Sequence, residues 1–154
     1  MNMRIGELGK LAGCQPETIR FYEQKRLLPP PVRSHANYRL YDATHAERLH
    51  FIRRCRALGM SLDEVQILLD FHDQPDRPCG GVNELVDQHI GQIDRQIAEL
   101  STLRSELSQL RATCDSTRSA ASCEILKQLS EPAEHPSPRL SLRSALEDIQ
   151  LEPG

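Results

Sequence analysis

The sequence predicts a mainly α fold: a small helical unit with a hairpin, then one long helix, then a short loop and a last brief helix. Three observations carry this. Apolar residues near the start recur at helical spacing between Gly and Pro stops. Val86, Ile93, Leu100, Leu107 and Cys114 fall on a seven-residue repeat. Aromatic residues make up only 4% of the chain, with no Trp, so the 38% hydrophobic content is mostly aliphatic and suits helices.

Ile5, Leu8, Leu11 and Ala12 outline the first helix, which Gly13 stops. Pro16, with its fixed φ, opens the second. Ile19, Phe21, Leu27 and Leu28 supply an inward face, and the prolines at 29–31 end the unit. The alternation of Tyr38, Arg39 and Leu40 after the turn-prone Ala36-Asn37 predicts a hairpin. Asp42 is placed to cap a helix running to about Arg56 and ended at Gly59. The stretch "SLDE" at 61–64 forms a capping box for another, to about Phe71.

The stretch "HDQPDRPCGG" reads as a linker. Beyond it, Ile90, Ile97, Leu103 and Leu110 flank the heptad positions, and an apolar stripe of that length predicts a coiled coil. The alternative is a helix packed on its own domain. "CDSTRSAASC" is a loop, "EILKQL" a short helix, and residues 142–151 are weakly amphipathic.

No apolar run approaches the roughly 18 residues that a membrane span needs, and no leader pattern opens the chain. A cytoplasmic protein is expected. Charge is unevenly spread. Residues 1–60 hold 11 Lys/Arg against 5 Asp/Glu, whereas the remainder hold 8 against 17, within a net charge of −3. The basic end calls for a polyanion. A helix-turn-helix exposes long polar groups on its second helix, and Thr18, Arg20, Tyr22 and Gln24 are expected on that face. The hairpin adds Asn37, Tyr38, Arg39 and Tyr41, with Arg33, Arg53, Arg54 and Arg56 on its flanks.

The stretches "TIRFYEQKRLLPPPVRS", "NYRLYD" and "HAERLHFIRRCRALGMSLDEV" resemble the winged helix-turn-helix DNA-binding domain of MerR-type bacterial transcriptional regulators. The resemblance runs from about Arg4 to Leu69, and with the long helix and cysteine loop it reaches about Leu129. It implies a homodimer on double-stranded operator DNA, working with RNA polymerase at a promoter whose elements are spaced too far apart. It also implies Thr18, Arg20 and Tyr22 in or beside the major groove, with Arg33, Tyr38, Arg39 and Arg56 on the backbone. Activation would come through distortion of the DNA.

Five cysteines cannot all pair within one chain. Cys79 and Cys114 lie 35 residues apart, mostly along one helix, or about 50 Å at 1.5 Å per residue. An antiparallel helix pair would bring Cys79 of one chain near Cys114 of the other, and Cys123 folds back to the same place. Two three-thiolate sites follow, each shared between subunits. Three thiolates without an evident fourth ligand suit a soft ion, Pb2+ or Cd2+ first, with Hg2+ or Zn2+ as alternatives. The spacing is similar to that of the mercury-responsive members, and the surrounding sequence looks closer to the cadmium- and lead-responsive branch. Cys14 and Cys55 are expected to pack or lie exposed. His72 and His89 are possible nitrogen donors, though a surface role is the simpler expectation.

The expected organisation is a winged helix-turn-helix domain at 1–71, a linker and start of the metal site at 72–81, and a dimerisation helix at 82–113. A metal-binding loop and short helix at 114–130 and a flexible tail at 131–154 complete it. No CxxC pair or nucleophile–base arrangement argues for an enzyme. A metal-buffering coiled coil without DNA function is the rival class, and the basic first sixty residues argue against it.

Overall fold

The structure, a computed structural model, describes residues 2–132. The weak helix expected at 142–151 and most of the tail lie outside the described residues. The chain divides into two units, residues 2–86 and 87–132, and the division falls inside the long helix.

In the first unit, α1 (Ile5–Ala12) and α2 (Pro16–Gln24) are joined by a tight turn. Gly13 makes it possible by adopting φ 62°, a left-handed conformation that costs a glycine little. The helices approach closely because position 9 has no side chain: a Cβ there would lie 2.6 Å from the Cys14 carbonyl oxygen. From α3 (Ala43–Ala57), Arg53 donates a hydrogen bond to the Ala12 carbonyl and so caps the end of α1.

Strands β1 (Val32–Arg33) and β2 (Arg39–Leu40) form the expected antiparallel hairpin, pairing Val32 with Leu40 and Arg33 with Arg39. Asn37 takes the left-handed position in its turn, at φ 63°. Asp42 caps α3 (Ala43–Ala57) by accepting from the backbone of Thr44 and His45. Ser61 and Glu64 close a reciprocal box on α4 (Leu62–His72): the Glu64 N–H donates to Oγ at 3.2 Å, and the Ser61 N–H donates to the carboxylate at 2.7 Å. Both caps are those expected from sequence.

The core holds Leu8, Ile19, Tyr22, Tyr41, Leu49, Ile52, Val65 and Leu69, all essentially without exposure. Leu11, expected inside, is 57% exposed, and Phe21 is only half-buried. Tyr22 occupies the central place instead.

One continuous helix of 33 residues, α5 (Gly80–Ala112), spans both units. Its first turns belong to the domain: Leu85 is buried, and Val82 and Val86 pack on the core. Farther along, Ile90, Ile93, Ile97, Leu100 and Leu107 are exposed in the single chain. A 3-10 turn at Ala120–Ser122 and α6 (Glu124–Ser130) follow. Among the described residues, no helix is long and apolar enough to cross a membrane.

Candidate DNA-binding face and thiol site

On α2, Glu17, Arg20 and Gln24 point to solvent, as does Lys25 just past its end. Two residues expected on that face do not. Thr18 is 5% exposed and Tyr22 is fully buried, because both lie on the side that packs against the core. Of the four residues expected on this face, the fold leaves Arg20 and Gln24 exposed. A hydroxyl is a poor mark of the outer face here. Tyr22 buries a large ring, and that outweighs its polar tip.

The hairpin arginines are held before any ligand arrives. Arg33 donates from Nη1 to the Asn37 side-chain oxygen at 2.9 Å, across the turn. Arg39 Nε lies 3.6 Å from a Glu23 carboxylate oxygen, and the other oxygen of Glu23 accepts from the Tyr41 hydroxyl at 2.5 Å. Burial, reinforced by this carboxylate, pushes the Tyr41 hydroxyl well above the ordinary phenol range. Tyr38 is 55% exposed, with the Arg4 guanidinium 4.9 Å from its ring centre. Arg56 is half-buried, and its Nη1 donates to the Met60 carbonyl at 2.7 Å.

Between the end of α2 and the hairpin lies an open groove of about 610 Å3, lined in part by Glu23, Gln24, Arg26, Pro30, Arg33 and Arg39. Three guanidinium groups against one carboxylate suit contact with a phosphate backbone. Sequence reasoning missed Arg4, Glu23 and Arg26. Arg26 sits at φ 59° just past the helix, a conformation that nothing in its residue type announces.

The thiols divide by location. Cys79 is exposed immediately before α5, and its carbonyl accepts from the Val82 N–H at 3.0 Å, which ties it to the first turn. Cys114 and Cys123 lie beyond the other end and are brought together by the loop between them. Ser116 turns the chain at φ 68°, and Asp115 accepts from the Thr117 N–H and hydroxyl. The 3-10 turn then delivers Cys123 as the residue capping α6. Backbone N–H groups of Leu126 and Ile125, with the Cys114 thiol as a further donor, pull the Cys123 thiol below its ordinary range, while Glu124 opposes them. The arrangement favours a thiolate.

Cys55 is buried in the core, which pushes its thiol up, and Cys14 lies half-buried in the turn between α1 and α2. Each therefore reads as structural. His72 packs beside Phe51, ring centres 5.2 Å apart, and His89 is buried. Among the described residues of one chain, no three His, Cys, Asp or Glu side chains converge as a metal site.

Residues 3–71 match the MerR HTH family regulatory protein family, and residues 46–110 match the MerR DNA-binding family. The chain is 35% identical over 129 residues to the mercuric resistance operon regulatory protein of Bacillus cereus, covering 84% of this chain and 98% of that one. It is 36% identical over 132 residues to the HTH-type transcriptional regulator ZntR of Escherichia coli K12, covering 84% and 94%. Among solved structures it resembles the transcription regulator PbrR691 from Ralstonia metallidurans CH34 in complex with lead(II). That match has a TM-score of 0.78 and 54% identity, over 83% of this chain and 99% of that chain. With two overlapping family matches over a helix-turn-helix, a hairpin wing and a long helix, the chain belongs to the MerR family of DNA-binding transcription regulators, which are not enzymes.

Proposed function

We propose that this chain is a metal-responsive regulator of a heavy-metal resistance operon, holding Pb2+ or Cd2+ at a three-cysteine site shared between two subunits. The observation that carries it is the distribution of thiols. Cys114 and Cys123 lie near each other after one end of a 33-residue helix, and Cys79 stands before the other. A helix of that length keeps its ends about 50 Å apart, so Cys79 of an antiparallel partner is the donor that completes the set. The exposed stripe from Ile90 to Leu107 is the surface on which two such helices would pair.

Three sulfur donors, one already biased towards thiolate, fit a soft cation. Such an ion supplies strong thiolate bonds that hold the two subunits in one register, and its uptake releases the thiol protons. The chain's own part is to fix Cys79 to the mouth of α5 and Cys123 to the start of α6. The exposed Arg20 and the wing arginines hold operator DNA, whose distortion would bring the promoter elements into register for RNA polymerase. Similarity to a lead-bound regulator favours Pb2+. Relatives named for mercury resistance and as ZntR support Hg2+ or Zn2+ as the second reading.

The test mixes Cys79→Ser and Cys114→Ser subunits and follows the sulfur-to-metal absorption on titrating Pb2+. Each pure variant should lose the band. Random exchange should restore roughly a quarter of the wild-type amplitude, because half the dimers regain one site of two. Full amplitude in either pure variant would rule out sharing.

A further inference from the structure

The segment that carries Cys79 is connected to the DNA-reading end of the domain through a single guanidinium. Arg48 projects from α3 with 19% of its side chain exposed. Its Nη1 donates to both carboxylate oxygens of Asp73, at 2.7 and 2.9 Å. Its Nε donates to the Leu27 carbonyl at 2.6 Å. Asp73 is the residue that closes α4, and the linker to Cys79 begins there. Leu27 is where the chain leaves the recognition helix: its N–H returns to the Tyr22 carbonyl at 2.9 Å, directly after the left-handed Arg26.

The stretch between Asp73 and Cys79 is clamped. Gln74 N–H bonds the Phe71 carbonyl at 3.1 Å, and Arg77 N–H bonds the Gln74 carbonyl at 2.9 Å. The Arg77 guanidinium lies 3.8 Å from the centre of the Phe71 ring. The edge of that ring fills the space where a Cβ of Gly81 would be, so the first turn of α5 rests on the last turn of α4. The exposed segment from Asp73 to Cys79 is thus tied to the end of α4 by two backbone hydrogen bonds and the Arg77–Phe71 contact, and its far end by the seat of Gly81 on Phe71.

We propose that Arg48 is a positioning residue for regulation: by holding Asp73 and the Leu27 carbonyl together, it passes movement of the Cys79 segment to the exit of the recognition helix. This rests on the reading of Cys79 as an effector ligand. The planar fork of arginine suits the task, because its separate N–H groups bond two partners in fixed directions. A lysine places one point charge and leaves one partner behind.

The experiment uses the full-length protein and its own promoter fragment, with Asp73→Ala and Arg48→Lys beside the wild type. Asp73 is nearly half exposed, so its loss leaves the fold standing. Five quantities are read: transcription with and without Pb2+, fluorescence of a base analogue at the operator centre, Pb2+ affinity, promoter affinity without metal, and melting temperature. Both variants should lose about tenfold of the metal-dependent activation, within the usual range of allosteric coupling, with a matching loss of the fluorescence change. Pb2+ affinity and metal-free promoter affinity should stay within about twofold of wild type.

Wild-type activation in both variants would overturn the proposal. So would a loss of metal-free promoter affinity and melting temperature in step with activation, since Arg48 would then be only a staple between helices. A wild-type protein answering neither Pb2+ nor Cd2+ would overturn this proposal and the sensing of those ions together, and that failure is recognisable because it appears in the unmutated chain.

Discussion

Two glycines in one helix show how little of a residue's role lies in its identity. At Gly6 a Cβ would meet nothing within 4 Å, whereas at Gly9 it would stand 2.6 Å from the Cys14 carbonyl oxygen and 3.8 Å from Ile19 Cδ1. Alanine at position 6 gains helix propensity and should stabilise the protein by about 0.5–1 kcal/mol. At position 9 the backbone of the α1–α2 turn must move, and alanine should destabilise by about 1–3 kcal/mol. Thermal melts of the two variants should therefore shift in opposite directions. Thr18 and Tyr22 make the same point for side chains. Both are polar by residue type, and both face the core.

At the scale of elements, local chemistry was legible. The Asp42 and Ser61 caps, the Gly13 stop and the hairpin turn all use side chains or backbone within a few residues, so their signals survive in a linear reading. Ser61→Ala should cost about 1 kcal/mol, read as a lower melting temperature, since it leaves the Glu64 N–H without its hydroxyl acceptor. The long helix was legible from its heptads, yet its two parts behave differently. Leu85 and its neighbours pack on the domain, while the stripe from Ile90 onward stays exposed in one chain. The reading of a helix on its own domain thus holds for the first turns, and the exposed stripe beyond them is the surface proposed above to meet a partner.

For the whole molecule, the uneven charge matters more than the net value of −3. The excess of Lys and Arg in residues 1–60 should make promoter binding strongly salt-dependent. Raising monovalent salt from about 50 to 200 mM should weaken it by about a hundredfold or more, the behaviour of a site that neutralises several phosphates. Anisotropy titrations across that range would measure the slope, and a flat slope would contradict a phosphate-led interface. By itself, the sequence determined the helical class, the order of elements, the caps and the candidate cysteines, because these follow from periodicity and from contacts a few residues long. The tertiary structure alone decided which polar residues of the recognition helix face outward, how Cys114 meets Cys123, and that Arg48 joins Leu27 to Asp73. Those pairings depend on how separate segments pack, and neither spacing nor residue type records which side of a helix its neighbours will cover.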